Sequence, residues 1–227
     1  MKTERQQSGK KSRVLLVDDH PVIRQGLAAL IREEPDLDVC GEASNAREAL
    51  ELIAAQNPEI ALVDISLSGP DGIELIKDIK IRYPEVRVLV LSMHDESVYA
   101  ERALRAGARG YLMKSEPLEK VMEAIRRVLM GEIHVSEQFA SRLLHQVVGQ
   151  GHVAETSAMD RLSDRELQVF RSIGQGMGIR EIAGELYLSV KTIEAHREHI
   201  KRKLGLASSG ELLRYAIHSA IVASGES

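Results

Sequence analysis

The chain has 227 residues, of which 44% are hydrophobic and only 3% are aromatic. This length allows one or two packed domains, and aliphatic cores favour α/β and all-helical domains over an aromatic-rich β-sandwich. The single cysteine, Cys40, excludes an internal disulfide and a cysteine-based metal cluster. With no apolar run of ~18–20 residues and a polar, basic start, the sequence predicts neither a membrane span nor a secretory signal, and we expect a cytoplasmic location and no membrane partner.

The net charge of -4 is unevenly distributed along the chain. Residues 1–13 carry five Lys or Arg and one Glu, and residues 14–156 carry fifteen basic and twenty-four acidic side chains. Residues 157–227 are almost balanced, with ten basic and nine acidic side chains. The acidic middle favours a cation or a basic partner, whereas bulk charge in the last part is poor evidence for nucleic acid.

The first half alternates between short apolar runs and amphipathic stretches with helical spacing. Near-continuous Val, Leu and Ile are typical of strands that are buried on both faces of a parallel sheet. Five strand–helix pairs therefore predict an α/β domain over residues 12–131, with a doubly wound five-stranded parallel sheet. The predicted strands are 14–17, 38–42, 60–63, 86–91 and 110–113, and the predicted helices are 21–34, 46–56, 72–83, 96–106 and 118–130.

Residues 132–160 are predicted to form a linker that contains one helix, at 135–148. The pattern after the linker is purely helical and predicts a small all-α domain over residues 161–223. Its predicted helices are 164–173, 179–187, 190–204 and 209–220.

Three carboxylates directly follow predicted strands: Asp18 and Asp19 follow the first, and Asp64 follows the third. Ligands of parallel sheets gather beyond the carboxyl ends of the strands, so we expect these side chains to meet and to bind Mg²⁺ through oxygen. Ser92 and Lys114 end the fourth and fifth strands and add a hydroxyl and a cation. Such a set suits a transferring phosphoryl group with an Asp as nucleophile. Taken singly, each residue has an ordinary alternative, such as Asp19 capping the next helix.

These motifs resemble the receiver domain of the NarL/FixJ family of response regulators. The likeness covers about residues 12–131 and rests on 14–21, 61–64, 71–72, 88–92 and the AGARGYLMK segment at 106–114. It implies a flavodoxin-like fold, phosphorylation of Asp64 by a sensor histidine kinase, and Mg²⁺ held by Asp18, Asp19, Asp64 and the backbone carbonyl of Ser66. Ser92 and Lys114 would contact the phosphoryl group, and Tyr111 matches the switch aromatic. The loop after Asp64 departs from the family pattern at Ser68 and Pro70, and Ser115 replaces the frequent proline after the lysine.

One histidine near this site carries a separate hypothesis. His94 lies two residues past Ser92, close enough in sequence to influence how long a phosphoryl group persists. A solvated loop histidine is the ordinary alternative.

Segment 179–198 has the spacing of a helix-turn-helix motif, with Ser189 as the N-cap of its second helix. Ile193, Ile200 and Leu204 share one face of that helix, and the opposite face is polar or small. A helix packed on one side and free on the other can enter the major groove. A charged, solvated helix face is the alternative. The residues predicted to contact DNA are Ser189, Lys191, Thr192, Glu194, Ala195, Glu198 and Arg202.

Residues 160–222 as a whole resemble the LuxR-type DNA-binding domain, through the LSDRE, EIA, LSVKTIEAH and KLG segments. Together with the receiver this is the NarL/FixJ layout. The resemblance implies double-stranded DNA as a partner, a homodimer when phosphorylated, and RNA polymerase as a further contact. Dimerisation would use the last helix, at Ser209, Leu212, Leu213, Ala216 and Ile217.

We therefore predict a transcription regulator that is controlled by phosphorylation and is not an enzyme beyond slow self-dephosphorylation. An aspartyl-phosphate phosphatase would need a carboxylate at position 66, where this chain has Ser66. A flavodoxin-like carrier would need a hydroxyl-rich first loop in place of Asp18 and Asp19. A regulator that works without phosphate remains open at this stage.

Overall fold

The computed structural model describes residues 11–67, 72–93, 96–148 and 158–224. It divides into two compact units, Met1–Val148 and Gly149–Ser227. The loop at 68–71, His94 and residues 149–157 lie outside the described residues, and so do the sequence predictions that fall on them.

The first unit is a five-stranded, all-parallel sheet with helices in the connections. Its strands are ordered β2-β1-β3-β4-β5, so the chain reverses its direction of winding at β1. In chain order the elements are β1 (Ser12–Val17), α1 (Pro21–Glu33), β2 (Leu37–Ala43), α2 (Ala46–Gln56), β3 (Ile60–Val63), α3 (Gly72–Arg82), β4 (Arg87–Ser92), α4 (Glu96–Ala106), β5 (Gly110–Met113) and α5 (Leu118–Leu129). The predicted fold class is confirmed.

The central strands are buried because both faces of the sheet are covered. All four residues of β3 are buried, and so are the last four of β1. One face of the sheet contributes Leu16, Leu62 and Leu91 to a core that also takes Ile31 of α1 and Ile125 of α5. This burial explains the near-continuous apolar runs, because a strand covered on both faces has no polar side.

The segment after α5 also belongs to the first unit. His134 pairs with the edge of β5, where its carbonyl accepts the Tyr111 N–H at 2.9 Å. The helix α6 (Glu137–Val148) follows. Its Arg142 donates to the Ser97 carbonyl at 2.6 Å, and the Ser136 N–H donates to Glu96 at 2.8 Å. Residues 132–148, predicted as the start of a linker, therefore pack on β5 and α4.

The second unit is all-helical and begins with a short 3-10 helix at Ala158–Arg161. Four helices follow: α7 (Asp164–Gly174), α8 (Ile179–Glu185), α9 (Val190–Leu204) and α10 (Ser209–Ser224). Ser163 caps α7 in a reciprocal capping box with Glu166, and Gly205 ends α9 at a φ of 69°. The core of the unit is formed by buried aliphatic and aromatic side chains: Leu167, Phe170, Ile182, Ile193, Ile200 and Leu212.

Candidate functional site

Two buried carboxylates meet at the carboxyl ends of neighbouring strands. Asp18 follows β1 and Asp64 follows β3, and their side chains are 6% and 2% exposed. The backbone fixes both positions, because the Asp18 N–H donates to the Ala43 carbonyl at 3.1 Å and the Asp64 N–H donates to the Val17 carbonyl at 2.9 Å. Parallel pairing of adjacent strands thus brings together two acids that are far apart in sequence, as the sequence predicted.

The Lys114 ammonium bridges these two carboxylates. Its Nζ lies 2.6 Å from Oδ2 of Asp18 and 2.6 Å from Oδ2 of Asp64. Lys114 follows β5, and its backbone N–H donates to the Ser92 carbonyl at 2.8 Å, which holds the ends of β4 and β5 together. Burial alone would lower the pKa of Lys114, but the Asp64 and Asp18 carboxylates raise it above its ordinary value.

Asp64 has both oxygens engaged. Oδ1 accepts the Ser66 N–H at 3.0 Å, and Oδ2 accepts from Lys114. Burial raises the pKa of Asp64 above its ordinary value, and this effect exceeds the opposing influence of the Lys114 charge and the Ser66 N–H. A buried carboxyl group with a perturbed pKa beside a cation marks a candidate functional site, since perturbed acids cluster at such sites.

Asp19 and His20 extend the acidic cluster. Ligand atoms of Asp18, Asp19, His20 and Asp64 lie within 4.8 Å of one another, so this group could hold a metal ion. The His20 Nδ1 is 2.8 Å from Oδ1 of Asp19 and 3.3 Å from Oδ1 of Asp18. The sequence motifs do not indicate a role for His20. Its position next to two acids, at the N-cap of α1, was the available signal.

Ser92 and Tyr111 are both fully buried, at 0% exposure. Ser92 is the last residue of β4, beside the strand end that precedes Lys114, and Tyr111 lies within β5. The structure therefore places Ser92 in β4, the strand next to β3, and Tyr111 in β5, which pairs with β4. Their predicted roles as phosphoryl contact and switch remain predictions.

In the second unit, α9 has the two faces that its sequence predicts. Ile193 and Ile200 are 0% exposed, whereas the five residues predicted to point away from the core are all exposed. Those five are Lys191, Glu194, Ala195, Glu198 and Arg202. The Ser189 hydroxyl accepts the Thr192 N–H at 3.0 Å, so the predicted N-cap is confirmed. The Ser189 and Thr192 hydroxyls also lie 2.7 Å apart.

Two of the three basic residues at the end of α9, Lys201 and Lys203, pair with acidic residues of the same unit. Lys203 donates to Oε2 of Glu166 at 2.6 Å, and Lys201 lies 2.8 Å from Glu198. Glu166 is almost fully buried in α7 and also accepts the Ser163 N–H at 2.7 Å. Lys203 therefore joins α9 to α7, a structural role that the sequence pattern did not indicate.

The dimerisation set needs a correction on α10. Leu212 and Ala216 are 0% and 1% exposed, on the side of α10 that packs against the rest of its own unit. A β carbon at Gly174 would stand 2.7 Å from the Ala216 carbonyl oxygen, which shows how closely α7 and α10 approach. Leu213 and Ile217 are 42% and 39% exposed. We therefore keep the predicted contact for Ser209, Leu213 and Ile217 and withdraw it for Leu212 and Ala216.

Within the described part of the chain, no helix is both long and apolar enough to cross a membrane.

Comparisons with known proteins agree with this architecture. Residues 14–126 match the response regulator receiver domain, and residues 160–216 match the luxR family of bacterial regulatory proteins. The oxygen regulatory protein NreC of Staphylococcus haemolyticus is 34% identical over 209 residues, covering 90% of this chain and 96% of the relative. NreC of Staphylococcus aureus strain JH9 is 35% identical over 209 residues, which again cover 90% of this chain and 96% of the relative.

Two solved structures are also similar. A LuxR-family two-component response regulator from Aurantimonas sp. SI85-9A1 has 36% identity and a TM-score of 0.57, covering 61% of this chain and 99% of that one. RcsB from Salmonella enterica serovar Typhimurium, bound to promoter rprA with the phosphomimetic BeF3-, has 26% identity and a TM-score of 0.58. That match covers 91% of this chain and 98% of RcsB.

The parallel α/β fold with its acidic strand ends, followed by a helix-turn-helix unit, defines a two-component response regulator with a receiver and a LuxR-type DNA-binding domain. The chain belongs to the NarL/FixJ family of these transcription regulators.

Proposed function

We propose that Asp64 accepts a phosphoryl group from a sensor histidine kinase. A carboxylate oxygen of Asp64 would form the new O–P bond while the N–P bond of the kinase phosphohistidine breaks, leaving neutral histidine and an aspartyl phosphate. The observation that carries the proposal is the Lys114 ammonium, 2.6 Å from both Asp64 and Asp18. This cation is in place to neutralise charge that arrives at Asp64.

Mg²⁺ fits the same cluster. The group of Asp18, Asp19, His20 and Asp64 is dominated by carboxylate oxygens, which are the ligands that a hard divalent cation prefers. We propose that Asp18, Asp19, Asp64 and the Ser66 carbonyl hold the ion. When bound, Mg²⁺ would supply charge neutralisation for the phosphoryl oxygens.

Phosphorylation would change the output through β4 and β5. The phosphoryl oxygens would compete with the Asp64 carboxylate for Lys114 and attract the buried Ser92 hydroxyl, and Tyr111 would readjust between them. We propose that this change pairs two chains through Ser209, Leu213 and Ile217. The dimer would then bind double-stranded DNA with α9 and regulate transcription, with RNA polymerase as a further contact.

The phosphatase alternative has little support in the site. Such an enzyme needs a general acid two residues after its nucleophile, and that position holds Ser66, whose N–H is bonded to Asp64. We propose that the protein has no enzymatic activity beyond slow loss of its own phosphoryl group. Measuring phosphorylation and oligomeric state together distinguishes our proposal from a regulator that works without phosphate.

The test uses the full chain with acetyl phosphate and Mg²⁺, followed by intact mass and light scattering after size exclusion. We expect one added phosphoryl group and a shift to dimer for the wild type, and neither for Asp64→Asn. Asp78→Asn, at a partly exposed acid of α3 paired with Arg82 at 3.6 Å, serves as the control and should behave as the wild type. Absence of phosphate on every protein would support a phosphate-independent regulator instead.

A further inference from the structure

A cavity of about 580 Å³ lies at the amino-terminal ends of β4 and β5. It is at the opposite end of these strands from Ser92 and Lys114. The wall includes Lys80 of α3, Arg87 at the start of β4, and Arg109 immediately before β5. Its volume falls in the range of ~300–1,000 Å³ that small-molecule sites occupy. Nothing in the proposed phosphorylation uses this cavity.

The three cations of this wall are unusual within the first unit. Among the residues that the structure describes there, Lys80, Arg87 and Arg109 are the Lys and Arg side chains that form neither a hydrogen bond nor an ion pair. All the other described Lys and Arg side chains of the unit have a polar interaction with protein groups. Acidic residues outnumber basic ones across 14–156, so carboxylate partners are plentiful elsewhere. Three cations without a protein partner among the described residues therefore line one cavity.

The charges in the wall favour an anion over a cation. The residues that line the cavity include three basic ones and a single acidic one, Glu85. The backbone contributes little, because the Arg87 N–H already donates to the Glu59 carbonyl at 3.1 Å and the Arg109 N–H donates to the Val88 carbonyl at 2.7 Å. Recognition must therefore come from the side chains. Two guanidinium groups suit phosphate, which they bind through paired N–H donors.

The wall also has an apolar part and one closely fitted side. Val86 and Leu104 line the cavity beside the cations. Gly107, with a φ of 124°, leaves room for the aliphatic chain of Lys80, and a β carbon there would stand 2.5 Å from Lys80 Cδ. The aliphatic stem of Lys80 is thus held against the end of α4. Apolar surface next to convergent charges is typical of a site for an organic anion.

We propose that this cavity binds a small organic phosphate. Arg87, Arg109 and Lys80 hold the phosphate groups, and Val86 and Leu104 contact the organic part. A nucleotide has the required combination of charge and size. Inorganic polyanions share the phosphate chemistry but not the apolar contact, so the experiment separates the two.

The test titrates the full chain with ATP, pyrophosphate and adenosine by calorimetry, in EDTA so that no metal links a nucleotide to the acidic site. We expect a Kd for ATP below about 1 mM, weaker binding of pyrophosphate, and little binding of adenosine. Equal affinity for ATP and pyrophosphate would overturn the organic part of the proposal. No binding of ATP up to about 10 mM would overturn the site itself.

Variants test the location. The double variant Arg87→Gln/Arg109→Gln should weaken ATP binding by about tenfold or more. Arg82→Gln/Arg105→Gln removes the same charge from α3 and α4, at residues paired with Asp78 and Glu101, and should change the affinity by less than about twofold. An equal loss in this control would overturn the proposal in favour of bulk charge. If the double variant fails to fold, Lys80→Gln replaces it as the test. Lys80 is exposed, and this variant should also weaken ATP binding.

Discussion

Gly72 lies directly against the backbone that follows Asp64. A β carbon at position 72 would stand 2.5 Å from the Asp64 carbonyl oxygen and 2.5 Å from the Ile65 α carbon. Real β carbons do not come this close to backbone atoms, so any side chain at 72 would displace the strand end that carries the proposed phosphoacceptor. The start of α3 thus packs against the backbone that positions Asp64.

Gly72→Ala should therefore lower the free energy of unfolding by about 1–3 kcal/mol, as overpacking does, and should slow phosphorylation by acetyl phosphate. Urea denaturation followed by circular dichroism and intact mass against time measure the two effects. Gly26→Ala is the control, because Gly26 is inside α1 and has no atom within 4 Å of an added β carbon. It should raise stability by about 0.5–1 kcal/mol. Equal stability of Gly72→Ala and the wild type would contradict the packing argument.

Lys114→Gln should leave two buried carboxylates without their cation. In metal-free buffer we expect a loss of about 3–5 kcal/mol in the free energy of unfolding, since one partner of a buried pair is removed. Mg²⁺ should restore more stability to this variant than to the wild type, because the ion then replaces the missing charge. Lys120→Gln removes an exposed lysine paired with Glu116 and should cost less than about 1 kcal/mol. Thermal unfolding of the two variants with and without Mg²⁺ measures these effects. If Mg²⁺ does not stabilise Lys114→Gln, the result would argue against a metal site.

The Glu166–Lys203 pair predicts a pH dependence of the second unit. Burial tends to raise the pKa of Glu166, but the hydrogen bonds from Lys203 and the Ser163 N–H outweigh it and lower the pKa below its ordinary value. The stability that the carboxylate contributes is therefore present above the unfolded-state pKa of about 4.3 and is lost as the pH falls through the lower folded-state pKa.

Glu166→Gln should accordingly lower the free energy of unfolding by about 1–3 kcal/mol at pH 7, with a deficit that shrinks below about pH 4. Calorimetry of the full chain at several pH values measures this. Glu185→Gln, at an exposed position at the end of α8, should show no such trend. A deficit that stays constant down to pH 3 would mean that the charge of Glu166 does not cause it.

Neighbouring cations of α9 should behave differently towards DNA. Arg202 is exposed, whereas Lys203 is bonded to Glu166. On a fluorescent DNA duplex, Arg202→Ala should reduce the slope of log affinity against log salt by about one, the value for one lost phosphate contact. Lys203→Ala should instead lower the free energy of unfolding and leave the slope unchanged. A slope reduced equally in the two variants would show that Lys203 contacts the DNA as well.

The two faces of α10 should separate folding from pairing. Leu213→Glu, on the exposed face, should prevent the phosphorylated chain from dimerising while its melting temperature stays close to that of the wild type. Leu212→Ala, on the buried face, should cost about 2–5 kcal/mol of unfolding free energy. Light scattering and thermal unfolding distinguish the two. Dimers of Leu213→Glu at wild-type concentration would move the interface away from α10.

Local signals in the sequence account for most of the fold. The predicted and observed bounds of α2, α4 and α9 coincide, because caps such as Asn45 and Ser189 and the left-handed Gly205 mark where these helices begin or end. Predicted helix 179–187 ends earlier in the structure, at Glu185, and the last helix continues to Ser224. The apolar periodicity continues past the end of the first of these helices and stops before the end of the second. It therefore predicts helix ends less well than a cap does.

The acids of the candidate site could be predicted because their position depends only on strand ends in a parallel sheet. The pairs that the sequence did not indicate all join distant elements. Lys203 reaches Glu166 across the second unit, and Arg142 of the supposed linker reaches Ser97 of α4. Such contacts depend on how helices pack, and a charged residue on a helix carries no sign of its partner. The cavity beside Arg87 and Arg109 could not be predicted for the same reason, because its wall is formed by distant elements.

The alternation along α10 also bears on how this protein can diverge. Leu212 and Ala216 are held by the fold, and Gly174 is constrained with them by the close approach of α7. Leu213 and Ile217, one residue further on in each case, are exposed and are less constrained by packing inside the unit. After gene duplication, substitutions at these exposed positions could change which chains pair with each other while the domain keeps its shape. Under the proposed pairing through α10, a single helix would allow new partner specificity to arise without a loss of folding.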